Sequence, residues 1–216
     1  LETQIKQRAR NESPFPEADV QRLLVQSVDA LAYCHHTLKL LHRDVKPANI
    51  FLSGEGDVKL GDFGISRSLA TSKAVAMTRC GSPLYMSPEI CRGAPYDRGA
   101  DCWSLACTFY HAMSLREPWA DHSKGGMMGL IRAICNEHVD LARVRQIYSA
   151  PLCDLLEQML SKDSKVRPSM REVAAMPWLQ EAVRSASKKT AISAAASASA
   201  ASPLRLQTML DIAATT

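Results

Sequence analysis

The sequence predicts an α+β domain that is mainly helical and carries one short β-hairpin. Two apolar stretches with helical spacing, one starting at Glu17 and one running from Tyr96 to Tyr110, give the helical part. Between them lie two short strands, Ile50-Phe51-Leu52 and Asp57-Val58-Lys59-Leu60, joined through Gly54-Glu55-Gly56, and these give the hairpin. The composition over 216 residues, 46% hydrophobic and 22% charged, suits one globular domain with a buried core.

Composition also removes several classes of function. The formal charge of +4 is mild and the Lys and Arg residues are scattered, so no nucleic-acid stripe is expected. The seven cysteines include no Cys-x-x-Cys pair, which points to reduced thiols in a cytosolic or nuclear protein rather than to a zinc site or a disulfide framework. No apolar run is long enough to cross a bilayer, and the polar start Leu1-Glu2-Thr3-Gln4 does not read as a signal peptide.

Taken in order, residues 1–15 carry only the i,i+4 pair of Leu1 and Ile5 before a charged run and the breaker Ser13-Pro14-Phe15-Pro16. From Glu17 a long helix is expected, with Val20, Leu23, Leu24, Val28, Leu31, Cys34 and Leu38 on one face and Glu17 and Asp19 in its first turn, where the helix dipole favours negative charge. His35 and His36 read as a helix end, with a paired metal site as the alternative. The segment 62–89 has neither helical nor strand periodicity, and a loop of that length inside a compact domain is usually functional. Asp101 stands near the start of the second apolar helix. Residues 114–126 read as a loop, followed by a helix from Met127 to Asn136 with Met128, Ile131 and Ile134 inward and another from Leu152 to Leu160. Beyond Pro177-Trp178-Leu179 the chain turns to Ala and Ser, so 1–182 is read as the domain and 183–216 as a low-complexity, disordered tail. Leu204, Leu206, Met209, Leu210 and Ile212 form only a weak apolar cluster within it.

The stretch with chemistry in it is His42-Arg43-Asp44-Val45-Lys46-Pro47-Ala48-Asn49, followed after the first strand and turn by Asp62-Phe63-Gly64. The hairpin holds Asp44, Asn49 and Asp62 at its ends. A carboxylate able to accept a proton, beside two oxygen ligands for a hard cation, suits phosphoryl transfer, in which catalysis is mostly positioning and charge neutralisation. The alternative is a hairpin with solvated Asp and Asn in its turns.

His-Arg-Asp-x-Lys-x-x-Asn followed by Asp-Phe-Gly resembles the signature of eukaryotic protein kinases. The resemblance implies a protein kinase-like fold, here the mainly helical C-terminal lobe. Asp44 and Lys46 would be catalytic, as the base and a γ-phosphate partner, Asn49 and Asp62 the Mg²⁺ ligands (Mn²⁺ as an alternative), and Lys46, Asn49, Phe51 and Asp62 the ATP-binding residues, with Phe51 under the adenine. His42 and Phe63 would be structural. Gly81-Ser82-Pro83 through Ser87-Pro88-Glu89 resembles the substrate P+1 loop and its closing motif, with Ser87 where the family has Ala. Lys46 and the hydroxyl of Ser82 imply serine/threonine specificity. Asp101 would hold the backbone of the catalytic loop from below, and Glu89 would form a buried ion pair with Arg167 of Val166-Arg167-Pro168. Ala106 stands where the family often has Gly, and Ala48 where kinases preferring a nearby Arg carry Glu.

Asn49-Ile50-Phe51-Leu52, Gly61-Asp62-Phe63-Gly64-Ile65-Ser66-Arg67, Ser87-Pro88-Glu89-Ile90 and Pro95-Tyr96 are similar to the NIMA-related (NEK) kinases. That group implies protein substrates, an upstream activating kinase, and a cytoplasmic protein linked to cytoskeleton, basal body, centrosome or nucleus. Arg43 beside Asp44 wants an anionic partner. A phosphate on Thr78, with Thr71 and Ser72 as weaker candidates, would supply one, received by Arg43 and Arg67. No Gly-rich phosphate loop, strand Lys or N-terminal sheet precedes this region in a chain that starts on Leu, so the N-terminal lobe is expected to be absent and the chain a kinase fragment. The competing expectation is a catalytically inactive C-lobe scaffold or decoy.

Overall fold

A computed structural model of the chain describes residues 1–54, 56–63 and 83–185. The helices are α1 (Glu2–Arg10), α2 (Glu17–His36), α3 (Pro88–Cys91), α4 (Arg98–Ser114), α5 (Gly126–Asn136), α6 (Ala142–Ile147), α7 (Ala150–Met159), α8 (Met170–Ala174) and α9 (177–185). Strands β1 (Ile50–Leu52) and β2 (Val58–Leu60) form an antiparallel hairpin in the register Ile50 to Leu60, Phe51 to Lys59 and Leu52 to Val58. The result is a mainly helical α+β unit with one two-stranded sheet among the described residues, the fold class the sequence predicts.

Helix α4 is the axis of the core. A surface helix shows one apolar stripe, whereas a helix apolar on all sides has to be enclosed. Trp103, Leu105, Ala106, Cys107, Phe109 and Met113 are all buried, and α2, α6 and α7 pack around them. Asp97 caps its first turn by accepting from the Ala100 backbone N–H at 3.1 Å, and Leu115 ends it in the left-handed conformation at φ 59°. The buried Ala106 methyl lies in this packed helix without interrupting it.

Helix α2 runs past the hairpin and clamps it. Its apolar stripe of Val20, Leu23, Leu24, Val28, Leu31 and Cys34 faces the core. From its other side Gln26 accepts from the Val58 N–H at 2.8 Å and donates to Asp57 Oδ1 at 2.9 Å, while Arg22 donates to the Gly56 carbonyl. These bonds pair backbone groups that the sheet edge would otherwise leave open. Gly56, at φ 84°, takes the turn conformation that side-chain-bearing residues avoid.

Several expectations need correction. Residues Glu2–Arg10 form a complete helix, since burial of Ile5 supplies the packing that local propensity lacks. Leu38 is 52% exposed because α2 stops at His36, before its stripe reaches that residue. Ile134 is buried as expected, but Met128 is 75% exposed: α5 buries Leu130 and Ala133 in its place, a rotation from the expected face. The 114–126 connection contains a 3₁₀ helix, Ala120–Gly125, and α6 fills a stretch to which the sequence assigned no element. Helix α9 runs to residue 185.

Candidate active site

The hairpin fixes two loops side by side at its open end, opposite the Gly56 turn. Preceding β1, Pro47–Asn49 form a single 3₁₀ turn. Following β2, the Gly61 N–H donates to the Asn49 carbonyl at 3.0 Å, extending the ladder by one bond. Asp62 therefore lies directly after a residue tied to Asn49, and its successor Phe63 packs its ring 4.6 Å from that of His42. A Cβ on Gly61 would sit 2.5 Å from the Phe51 ring, so glycine here lets the ring cross the sheet edge. Phe51 itself is 50% exposed and presents an uncovered apolar face.

Three of the candidate residues converge on one carboxylate oxygen. Asp44 Oδ2 accepts from Lys46 Nζ at 2.9 Å and from Asn49 Nδ2 at 3.0 Å, and Asn49 Nδ2 also donates to the Asp44 carbonyl at 2.8 Å. Asn49 is buried, whereas Asp44 and Lys46 keep about a fifth of their side chains open, at 18% and 20%. Charge-assisted bonds of this kind orient a carboxylate firmly. Oδ2 is thus held twice, while Oδ1 takes no hydrogen bond from the described residues.

The chain bends sharply to make this corner. Arg43 and Asp62 both have left-handed backbone, φ 68° and 52°, a conformation that costs side-chain-bearing residues energy and persists where the surroundings enforce it. For Arg43 the enforcing group is Asp101. Its Oδ2 accepts from the His42 N–H at 2.9 Å and lies 2.7 Å from His35 Nε2, and its Oδ1 accepts from the Arg43 N–H at 2.9 Å and the Tyr96 hydroxyl at 2.8 Å. Burial alone would push this carboxyl up. Hydrogen bonds from His35, the two loop amides and Tyr96 outweigh that and hold it below its ordinary value. His42 is itself enclosed, and burial lowers its imidazole, so the ring meets Phe63 as a neutral aromatic.

Behind the corner, Arg167 grips α3. Nη1 and Nη2 donate to Glu89 Oε1 and Oε2 at 2.6 and 2.8 Å, while Nε and Nη1 reach the Ser161 and Gly99 carbonyls at 2.7 and 2.8 Å. Its guanidinium also lies 5.0 Å from the Trp103 ring centroid. Desolvation would raise Glu89, but the Arg167 bonds prevail and lower it. Lys162 caps the same stack, 4.8 Å and 4.4 Å above Trp103 and Trp119, and burial brings its ammonium down to about 8.

Among the described residues the Arg43 side chain is exposed and makes no ion pair. Pro83 opens a 3₁₀ turn, Pro83–Tyr85, packed on α4. Arg67, Thr71, Ser72, Thr78, Gly81 and Ser82 lie outside the described residues. Two residues of the cradle, His35 and Tyr96, were given no role at the loop from the sequence. His35 was read as part of a partly exposed helix end, yet it is buried against Asp101, 66 positions away in the chain. The only signal was its place one turn below Leu31 on the buried stripe. Among the described residues no three His, Cys, Asp or Glu side chains converge as a metal site.

A model of the protein kinase domain matches residues 1–179. The chain belongs to the protein kinase domain family. Human serine/threonine-protein kinase Nek5 is 39% identical over 170 residues, covering 78% of this chain and 23% of that protein. Human Nek2 is 37% identical over 173 residues, with 77% and 37% covered. A putative serine/threonine-protein kinase A of Trypanosoma brucei brucei is 34% identical over 187 residues, with 85% and 42% covered. The kinase chain thus spans 23 to 42% of the length of these relatives, and its similarity is to serine/threonine kinases of the NEK type.

Proposed function

We propose that this kinase chain forms the catalytic floor of a NEK-like serine/threonine protein kinase, which moves the γ-phosphate of ATP to a protein Ser or Thr hydroxyl. The observation that carries the reading is the twice-anchored Asp44 carboxylate, with Lys46 and Asn49 on one oxygen and the other left open. Asp44 Oδ1 would accept the proton of the attacking hydroxyl. The Lys46 ammonium beside it would meet the transferring phosphoryl group, and its charge fixes where that group can lie. Phe51 would offer its exposed face to the adenine.

The donor set fits Mg²⁺. Asn49 spends Nδ2 on Asp44, which leaves Oδ1 as a neutral oxygen donor, and Asp62 adds an exposed carboxylate one residue past Gly61, the backbone partner of Asn49. A protein that supplies one or two oxygens and leaves the remaining positions to phosphate and water is how this ion is usually held. When bound, Mg²⁺ neutralises charge on the phosphate oxygens. Arg43, exposed beside Asp44, would receive a phosphate on Thr78 together with Arg67.

The test uses the longest natural polypeptide containing this chain, assayed for transfer of labelled γ-phosphate to Ser/Thr protein substrate. Asn49→Ala and Asp62→Ala should each raise the Mg²⁺ concentration needed for half-maximal transfer. An unchanged Mg²⁺ requirement in both variants would remove their assignment as ligands. Absence of transfer by the wild-type protein would favour a scaffold.

A further inference from the structure

Two cysteines meet where α3 packs on α5. Cys135 Sγ donates to the Pro88 carbonyl at 3.8 Å, and Arg92 Nη2 donates to the Cys135 carbonyl at 2.9 Å. Pro88 and Cys91 are three residues apart on one helix and share a face, and Arg92 is the residue after Cys91. The two bonds therefore bracket Cys91 and place Cys135 beside it. Both are partly exposed, whereas Cys34, Cys102, Cys107 and Cys153 are buried, and Cys80 lies outside the described residues.

The surroundings distinguish the two thiols. Cys135 lines a surface cavity of 790 Å³ together with Arg92 and Arg132 and the carboxylates Asp121 and Glu137, and of these charges Arg92 is the one bonded to its backbone. A third cation, Lys162, donates to the neighbouring Ile134 carbonyl at 2.6 Å. Positive charge and access are the conditions under which a cysteine is oxidised. Cys91 is the opposite case, since burial and then Cys135 push its thiol up to about 12.

We propose that Cys91 and Cys135 form a redox-modification site that a hydroperoxide converts into a disulfide tying α3 to α5. In the first step Cys135 sulfur attacks the peroxide oxygen, the O–O bond breaks, and Cys135 becomes a sulfenic acid while the peroxide leaves as an alcohol, or as water from hydrogen peroxide. In the second, Cys91 sulfur displaces the sulfenic hydroxyl, which takes the Cys91 proton and leaves as water. Two thiols are oxidised by two electrons and one peroxide is reduced. The bridge fixes α3, which carries Glu89 of the Arg167 ion pair, to the far side of the cavity.

The test treats the full 216-residue chain with hydrogen peroxide, blocks remaining thiols and maps peptides without reduction. The expected result is a cross-linked peptide pair holding Cys91 and Cys135, a mass loss of about 2 Da reversed by dithiothreitol. Cys91→Ser should leave a dimedone-reactive sulfenic acid at Cys135, and Cys135→Ser should leave Cys91 as the thiol. A cross-link through Cys80, progression of wild-type Cys135 to sulfinic acid without a bridge, or no oxidation at either residue would overturn the proposal. The wild-type peptide map decides the matter even if a variant folds poorly.

Discussion

Replacing Asp101 by Asn tests what holds the catalytic loop. The carboxylate offers two acceptor oxygens, one to the His42 amide and His35 and the other to the Arg43 amide and Tyr96. An Asn side chain has one such oxygen and an NH₂ group. Whichever way it turns, one loop amide and one side-chain partner face a donor instead of an acceptor, in a site with no exposed surface on Asp101. Hydrogen bonds to a charged group contribute about 1.5–3 kcal/mol each, so losing two and weakening two should cost about 3–5 kcal/mol. Against a typical total stability of ~5–15 kcal/mol that is a large fraction, and it should lower the urea midpoint by about 2 M with unchanged slope. The assay is urea unfolding followed by circular dichroism. Its pH dependence has a definite sign. The folded carboxyl lies below its ordinary value of 3.8, so its stabilisation is present above 3.8 and fades as pH falls through the lower folded value. The gap between wild type and Asp101→Asn should therefore narrow in acid. A loss below about 1 kcal/mol, or a gap that does not shrink in acid, would refute the reasoning.

Further outcomes follow from the same geometry. Arg167→Ala should destabilise the chain by ~3–5 kcal/mol, because it leaves the Glu89 carboxylate desolvated without its partner. Glu89→Ala in addition should cost much less than it does alone, and strict additivity in urea unfolding would contradict a direct coupling. Thr78→Ala in the longest natural polypeptide should lower protein phosphorylation roughly tenfold or more, about the effect of one charge-assisted hydrogen bond to Arg43. Arg43→Ala should then add little to it, and full activity of Thr78→Ala would dismiss the phosphosite.

The hairpin was legible in the sequence because its signals are local. Alternating strand residues, a Gly-bearing turn and the spacing of Asp44, Asn49 and Asp62 all lie within 19 positions. The contact of Asp101 with the loop could be anticipated only through the family resemblance, since nothing local pairs residues 42 and 101. Its partners His35 and Tyr96 stayed hidden for the same reason: burial of a polar side chain depends on a group brought in by the fold. The Met128 error has another cause. Helix α5 begins at Gly126 with Gly125 before it, and the apolar residues between Met127 and Ile131 fit more than one face, so tertiary packing chose the register. Similarly, α1 is too short and charged to announce itself and is held by Ile5 and by the Leu1 amino group, which donates to the Ile50 carbonyl at 2.8 Å.

The central claim is that the open oxygen of Asp44 takes the substrate proton during phosphoryl transfer. Single-turnover transfer at saturating Mg-ATP and protein substrate, measured on the longest natural polypeptide with and without Asp44→Asn, tests it most directly. Asn keeps the shape of the corner but accepts no proton. The account predicts a rate about 10²–10⁴-fold lower with nucleotide binding retained. Transfer at the wild-type rate by Asp44→Asn would contradict it.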